Sequence, residues 1–125
     1  MTEQQRKRLE AAGWKFGSTA EFLSLTPDEA EMVEIKLALA RTFKRCREVL
    51  RLSQERLAKV LRSSQSRVAK MEAADPSVSM DLLMHALVTL GVRREALARI
   101  IGVRRMEDVN HVPIRPRLPH AAEAR

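Results

Sequence analysis

Residues 52–73, LSQERLAKVLRSSQSRVAKMEA, hold two short runs of helical periodicity with almost nothing between them, and that spacing constrains the fold more than any other feature of the chain. Ser53 is placed to cap the first run, in which Leu57, Ala58, Val60 and Leu61 face inward. After a break at Arg62 and Ser63, Ser64 caps a second run that turns Val68 and Met71 inward and stops before Asp75 and Pro76. Helices joined this tightly cross at close range, so Ala58 must be small where Val68 approaches it. The polar side chains of the second run, Gln65, Ser66, Arg67 and Lys70, are left pointing outward.

The flanking sequence is helical as well. Thr26, Pro27, Asp28 and Glu29 form a start signal in which Thr26 caps, Pro27 suits the first turn and Glu29 closes a capping box. From there Val33, Leu37, Ala40, Phe43, Cys46 and Leu50 recur at steps of three or four and lay one apolar stripe along a long helix. A later helix runs from a cap at Ser79 through Leu82, Leu83, Ala86, Leu87 and Leu90 to Gly91, and a last one covers residues 94–101, closed by Gly102. Ser18 with Glu21 marks a further start near the front, where Trp14, Phe16, Phe22 and Leu23 need a surface to dock on. Tyr is absent, and no stretch sustains the polar and apolar alternation of a half-buried strand. The fold class expected is all-α. Residues 1–35 form a helical extension with the start of the long helix, and 36–102 form the central domain. Residues 103–125, with Pro113, Pro116 and Pro119 among arginines, read as a mobile basic tail.

Length and charge narrow the function. A chain of 125 residues is about one domain at ~100 to 200 residues each, and 45% apolar against 31% charged residues suffices for one modest core. No apolar run reaches the ~18 residues of a membrane span, and residues 1–10 lack the apolar stretch of a secretory signal, so a soluble cytoplasmic protein is expected. Cys46, the single cysteine, allows no internal disulfide and no cysteine zinc cluster. The net charge of +7 is unevenly spread: residues 36–75 carry eleven basic and four acidic side chains, whereas residues 1–35 carry four and seven. A basic face on a small domain concentrates polyanions, of which nucleic acid is the commonest in a cell.

Two short helices joined by three or four residues, the second with polar groups outward, make a helix-turn-helix, in which one helix steadies the unit and the other enters a major groove. Gln65 ends in a donor and an acceptor that match the N6 and N7 edge of adenine, and Arg67 has a planar fork suited to guanine O6 and N7. Lys70 reaches a base or a phosphate one turn on. Lys44, Arg45, Arg51, Lys59 and Arg62 are candidates for backbone phosphates, and the amide groups at the start of the second helix favour an anion.

On these residues the chain resembles the XRE family, the lambda-repressor and Cro type of helix-turn-helix regulators, over roughly residues 39–101. The segments that carry the resemblance are LSQERLAKVL, SSQSRVAKMEA and PSVSMDLLMHALVTLG. It implies a five-helix lambda-repressor-like DNA-binding domain. By position it implies that Gln54 contacts the DNA backbone, that Ser64 caps the reading helix, that Gln65, Ser66, Arg67 and Lys70 face the groove, and that Arg47 pairs with Glu72. The family usually has glycine at the turn and a hydrophobic residue after it. This chain has Arg62 and Ser63, and a non-glycine residue at positive φ there costs about 1 kcal/mol.

Other residues invite bland readings. Arg47 and Glu72 fix one helix against another rather than reading bases. Cys46 lies in the apolar stripe as an inert thiol. His85 has no Cys, Asp or Glu at ligand spacing, and His111 and His120 lie in the tail, so no metal site is expected. No nucleophile and base pair, glycine-rich phosphate loop or matched carboxylates are present, so neither catalysis nor a cofactor is expected. The function expected is sequence-specific regulation of transcription, as a repressor, by a homodimer on a pseudo-palindromic site in double-stranded DNA. The rival expectation is a HigA-like antitoxin of a type II toxin-antitoxin pair, which binds a small cognate toxin and represses its own operon. No membrane partner is expected.

Overall fold

A computed structural model describes residues 25–119, and all the secondary structure among them is helical. The elements are α1 (Pro27–Val49), α2 (Gln54–Val60), α3 (Gln65–Glu72), α4 (Met80–Thr89), α5 (Arg94–Gly102) and α6 (Met106–Val109). The expected cap at Ser18 and the aromatics Trp14, Phe16, Phe22 and Leu23 lie outside the described residues.

Side-chain caps set the starts of α1 to α4. Thr26 Oγ1 accepts from the Glu29 N–H at 3.2 Å, and Glu29 Oε1 accepts from the Thr26 N–H at 3.3 Å, which closes the capping box of α1. Ser53, Ser64 and Ser79 each accept from the backbone N–H three residues on, at 3.0 to 3.1 Å. Such a cap stabilises a helix by about 1 kcal/mol. The ends are equally regular. After α1, α2, α3 and α4 the chain turns through Arg51, Arg62, Ala74 and Gly91, all at positive φ, from 53 to 88°. At each, the residue after the turn donates back to the third-last helical carbonyl, for example Ser63 N to Ala58 O at 2.8 Å. Three of these four left-handed positions hold a side chain where glycine is the unstrained choice.

α1 is the axis of the fold. Leu37, Ala38, Leu39, Ala40, Thr42, Phe43 and Cys46 are all buried, a wider surface than the single stripe expected, because α3, α4, α5 and α6 all pack on this helix. Thr42, buried among them, satisfies its hydroxyl by donating to the Ala38 carbonyl at 2.8 Å. α2 packs on α3, and Ala58 and Val68 are both buried, as the tight crossing requires.

Two expectations fail at the C-terminal side. Gly102 does not close α5 in a left-handed turn; it is the last helical residue, and Val103 follows in extended conformation. The chain from 103 to 119 is not a mobile tail: it forms α6, buries Met106, Val109 and Val112, and packs Ile114 against the core. The Arg45 guanidinium donates to the carbonyls of Val109, at 3.2 Å, and Val112, at 2.6 Å, and so closes the end of α6. Further on, the Arg117 N–H donates to the Leu90 carbonyl at 2.7 Å. The described helices therefore number six. None is long and apolar enough to cross a membrane.

Candidate nucleic-acid interface

The outward side of α3 is exposed at Gln65, Ser66, Arg67 and Lys70, as is its cap Ser64, while Val68 and Met71 seal its other side into the core. Ser64 Oγ takes the N–H of Arg67, and among the described residues the N–H groups of Gln65 and Ser66 have no protein acceptor. They point out of the first turn with the positive end of the helix dipole.

Two cations from α1 hold α3 at its far end. Arg47 Nε donates to Glu72 Oε2 at 2.6 Å and Arg47 Nη2 to Glu72 Oε1 at 3.1 Å, a two-pronged pair with side chains 17% and 6% exposed. The hydrogen bond to Glu72 holds the Arg47 guanidinium above its ordinary pKa against the opposing effect of burial. Lys36, eleven residues earlier on α1 and therefore on the same face, donates from Nζ to the Asp75 carbonyl at 2.9 Å. Burial lowers the Lys36 pKa.

A chain of carboxamides runs from this anchor to the exposed start of α3. Gln54 Nε2 donates to Glu72 Oε1 at 3.2 Å, and Gln65 Nε2 donates to Gln54 Oε1 at 3.2 Å. The direction is forced from the inside. An ionised carboxylate only accepts, so Gln54 must turn its amino group to Glu72 and its oxygen to Gln65. Gln65 then offers its own amino group to Gln54, which leaves its oxygen and its second N–H for whatever lies outside.

Of the cations assigned to phosphates, Lys44, Arg51, Lys59 and Arg62 are exposed. Arg45 is not available: it is half-buried and spent on the Val109 and Val112 carbonyls. Reading the sequence missed the Lys36 anchor, the Gln54–Gln65 contact and the Arg45 clasp. The spacing of Lys36 from Arg47, three full turns, was a usable signal for the first. Among the described residues no group of three or more His, Cys, Asp and Glu side chains could hold a metal ion. Cys46 is fully buried, and burial pushes its thiol up to about 12.

No family model, curated protein or solved structure matches the chain.

Proposed function

We propose that this chain is a sequence-specific DNA-binding regulator of the helix-turn-helix type, a repressor that inserts α3 into the major groove and acts as a homodimer on a pseudo-palindromic site. The observation that carries the reading is the polarised relay from Arg47 through Glu72 and Gln54 to Gln65. It presents a carboxamide of fixed orientation at the exposed start of a helix that is sealed on its other side. A pre-oriented acceptor and donor side by side match the N7 and N6 edge of adenine. Arg67, one position beyond Ser66 and also exposed, supplies a guanidinium fork for guanine. Lys70, a turn further along, reaches a base or a phosphate.

The free N–H groups of Gln65 and Ser66 favour a phosphate at the helix start. Lys44, Arg51, Lys59 and Arg62 contribute charge that positions the duplex without reading it. An antitoxin would share this DNA surface and add a second, protein-binding one. The test is selection of bound duplexes from a random pool, followed by titration on the DNA upstream of the chain's own reading frame. A two-fold site with half-sites ~34 to 36 Å apart is expected. A pool that shows no enriched sequence after repeated rounds overturns the reading.

A further inference from the structure

Away from α3, the C-terminal part of α4, the length of α5 and the chain after α6 enclose an open groove of about 1430 Å³. That exceeds the ~300 to 1,000 Å³ of small-molecule sites. No residue of α2 or α3 lines it. Met84, Val88, Ile101 and Ile114 contribute apolar surface, and Val88 and Ile101 stand 55% and 39% exposed. Around them are five guanidinium groups, of Arg93, Arg94, Arg99, Arg115 and Arg117, against one carboxylate, Glu95. None of these five side chains takes part in a hydrogen bond or ion pair among the described residues.

The wall is a fixed one. Its outer segment is tied down by the Arg117 N–H on the Leu90 carbonyl and by the Arg45 clasp on Val109 and Val112. Five like charges gathered around exposed valine and isoleucine repel one another and leave apolar surface in water. A nucleic acid would neutralise the arginines but leave the apolar residues uncovered. A wholly apolar segment would cover those residues and strip water from unpaired charges. An occupant that carries both apolar groups and carboxylates relieves both costs.

We propose that this groove docks an acidic amphipathic helix of a partner protein, its apolar face laid on Val88 and Ile101 and its carboxylates paired with the surrounding guanidinium groups. The proposal is independent of what α3 reads.

The experiment is selection of 16-residue peptides from a random display library on the full chain, with affinities of the winners measured by fluorescence anisotropy. The expected winners combine Leu, Ile or Phe at steps of three and four with an excess of Asp and Glu. They should bind at least tenfold more weakly to the Arg93→Glu/Arg94→Glu variant. That variant places carboxylates at the start of α5, where the helix dipole favours them, so the fold is retained and a thermal melt verifies it.

Winners without acidic excess, or bound equally by the variant, overturn the proposal. So does a halved sedimentation mass for the variant, which would make the groove an interface between two copies of this chain. A loss of random-duplex affinity as large as the peptide loss would make it a nucleic-acid surface. A tenfold gain in peptide affinity on deleting residues 1–24 would make the chain's own N-terminus the occupant. Both outcomes also overturn it.

Discussion

Arg47 on α1 and Glu72 at the end of α3 meet edge to edge, with Nε to Oε2 at 2.6 Å and Nη2 to Oε1 at 3.1 Å, twenty-five residues apart in the chain. The remaining terminal nitrogen of Arg47 donates to the Leu52 carbonyl at 2.9 Å, so one guanidinium ties α1 both to α3 and to the end of the α1–α2 turn. Glu72 in turn accepts from Gln54. Removing Arg47 therefore leaves a nearly buried carboxylate with only a carboxamide partner.

Arg47→Met should cost about 3 kcal/mol, the order seen when one member of a buried pair is deleted. Arg47→Met/Glu72→Met should recover most of that loss, because an apolar pair replaces a desolvated one. Urea unfolding of the two variants decides it. A double variant as unstable as the single one would show that packing rather than charge dominates at this contact.

The three non-glycine residues at left-handed turns give a second prediction. Arg51 and Arg62 are exposed, so Arg51→Gly and Arg62→Gly relieve backbone strain and lose little packing. Each should gain ~0.5 to 1 kcal/mol net of the added freedom of the unfolded chain. Ala74 is fully buried. Ala74→Gly surrenders a methyl group worth ~0.8 kcal/mol and should come out near zero. Thermal melts of the three variants should separate the first two from the third.

The starts of α1 to α4 were legible because each cap is a local matter: a serine or threonine accepts from a backbone N–H three residues on, whatever the rest of the fold does. The turn at Arg62 was legible for the same reason. The docked segment after α5 was not. Its prolines suppress helical periodicity, and its fixing depends on the Arg45 guanidinium reaching two distant backbone carbonyls and on the Arg117 backbone N–H reaching another, none of which a local sequence pattern encodes. The one available cue was the spacing of Met106, Val109 and Val112, every third residue and all buried. At the proposed interface the outward residues of α3 could be picked by period. The Gln54–Gln65 contact depends on the crossing of α2 and α3, which no short-range pattern encodes.

Glycine chemistry tests the docked segment. Gly91 sits at φ 88°, and a Cβ there would come within 2.8 Å of Arg117 Cγ. Gly91→Ala should destabilise by about 1 to 2 kcal/mol from the backbone alone. Adding Arg117→Ala should remove the clash but not the backbone cost. Gly102, at the end of α5, has open space around the same atom. Gly102→Ala should stabilise by ~0.5 to 1 kcal/mol. Equal effects at the two glycines, measured by chemical unfolding, would contradict the assigned turn at Gly91.

Cys46 predicts an alkaline limb of stability. Burial raises its pKa from the ~8.5 of a free thiol to about 12, with Arg45 opposing. Above pH ~8.5 the unfolded chain loses a proton that the folded chain keeps, so stability should fall by up to ~1.4 kcal/mol per pH unit until the folded thiol titrates. Below that pH the thiol contributes no slope. Lys36 acts with opposite sign, since burial lowers its pKa and the folded chain releases that proton first. The comparison of wild type with Cys46→Ala isolates the thiol. Stability curves that stay parallel between pH ~8.5 and ~10.5 would refute the assignment.

The relay gives the last prediction. If Gln65 reads an adenine edge, Gln65→Ala should cost ~1 to 3 kcal/mol on the selected site and relax base choice at one position only. Arg67→Ala should do the same at a different position. Lys59→Ala should weaken every sequence alike and make the salt dependence shallower. Gln54 turns Gln65 in place, at 3.2 Å, so Gln54→Ala should relax discrimination at the same base as Gln65→Ala. The losses on the selected site should then fail to add in the double variant, because the second substitution removes a contact already disoriented. Binding titrations on selected and random duplexes measure all four. Additive losses, or equal losses on both duplexes, would mean that Gln65 and its partner only meet the backbone, and the direct reading of bases through α3 would have to be abandoned.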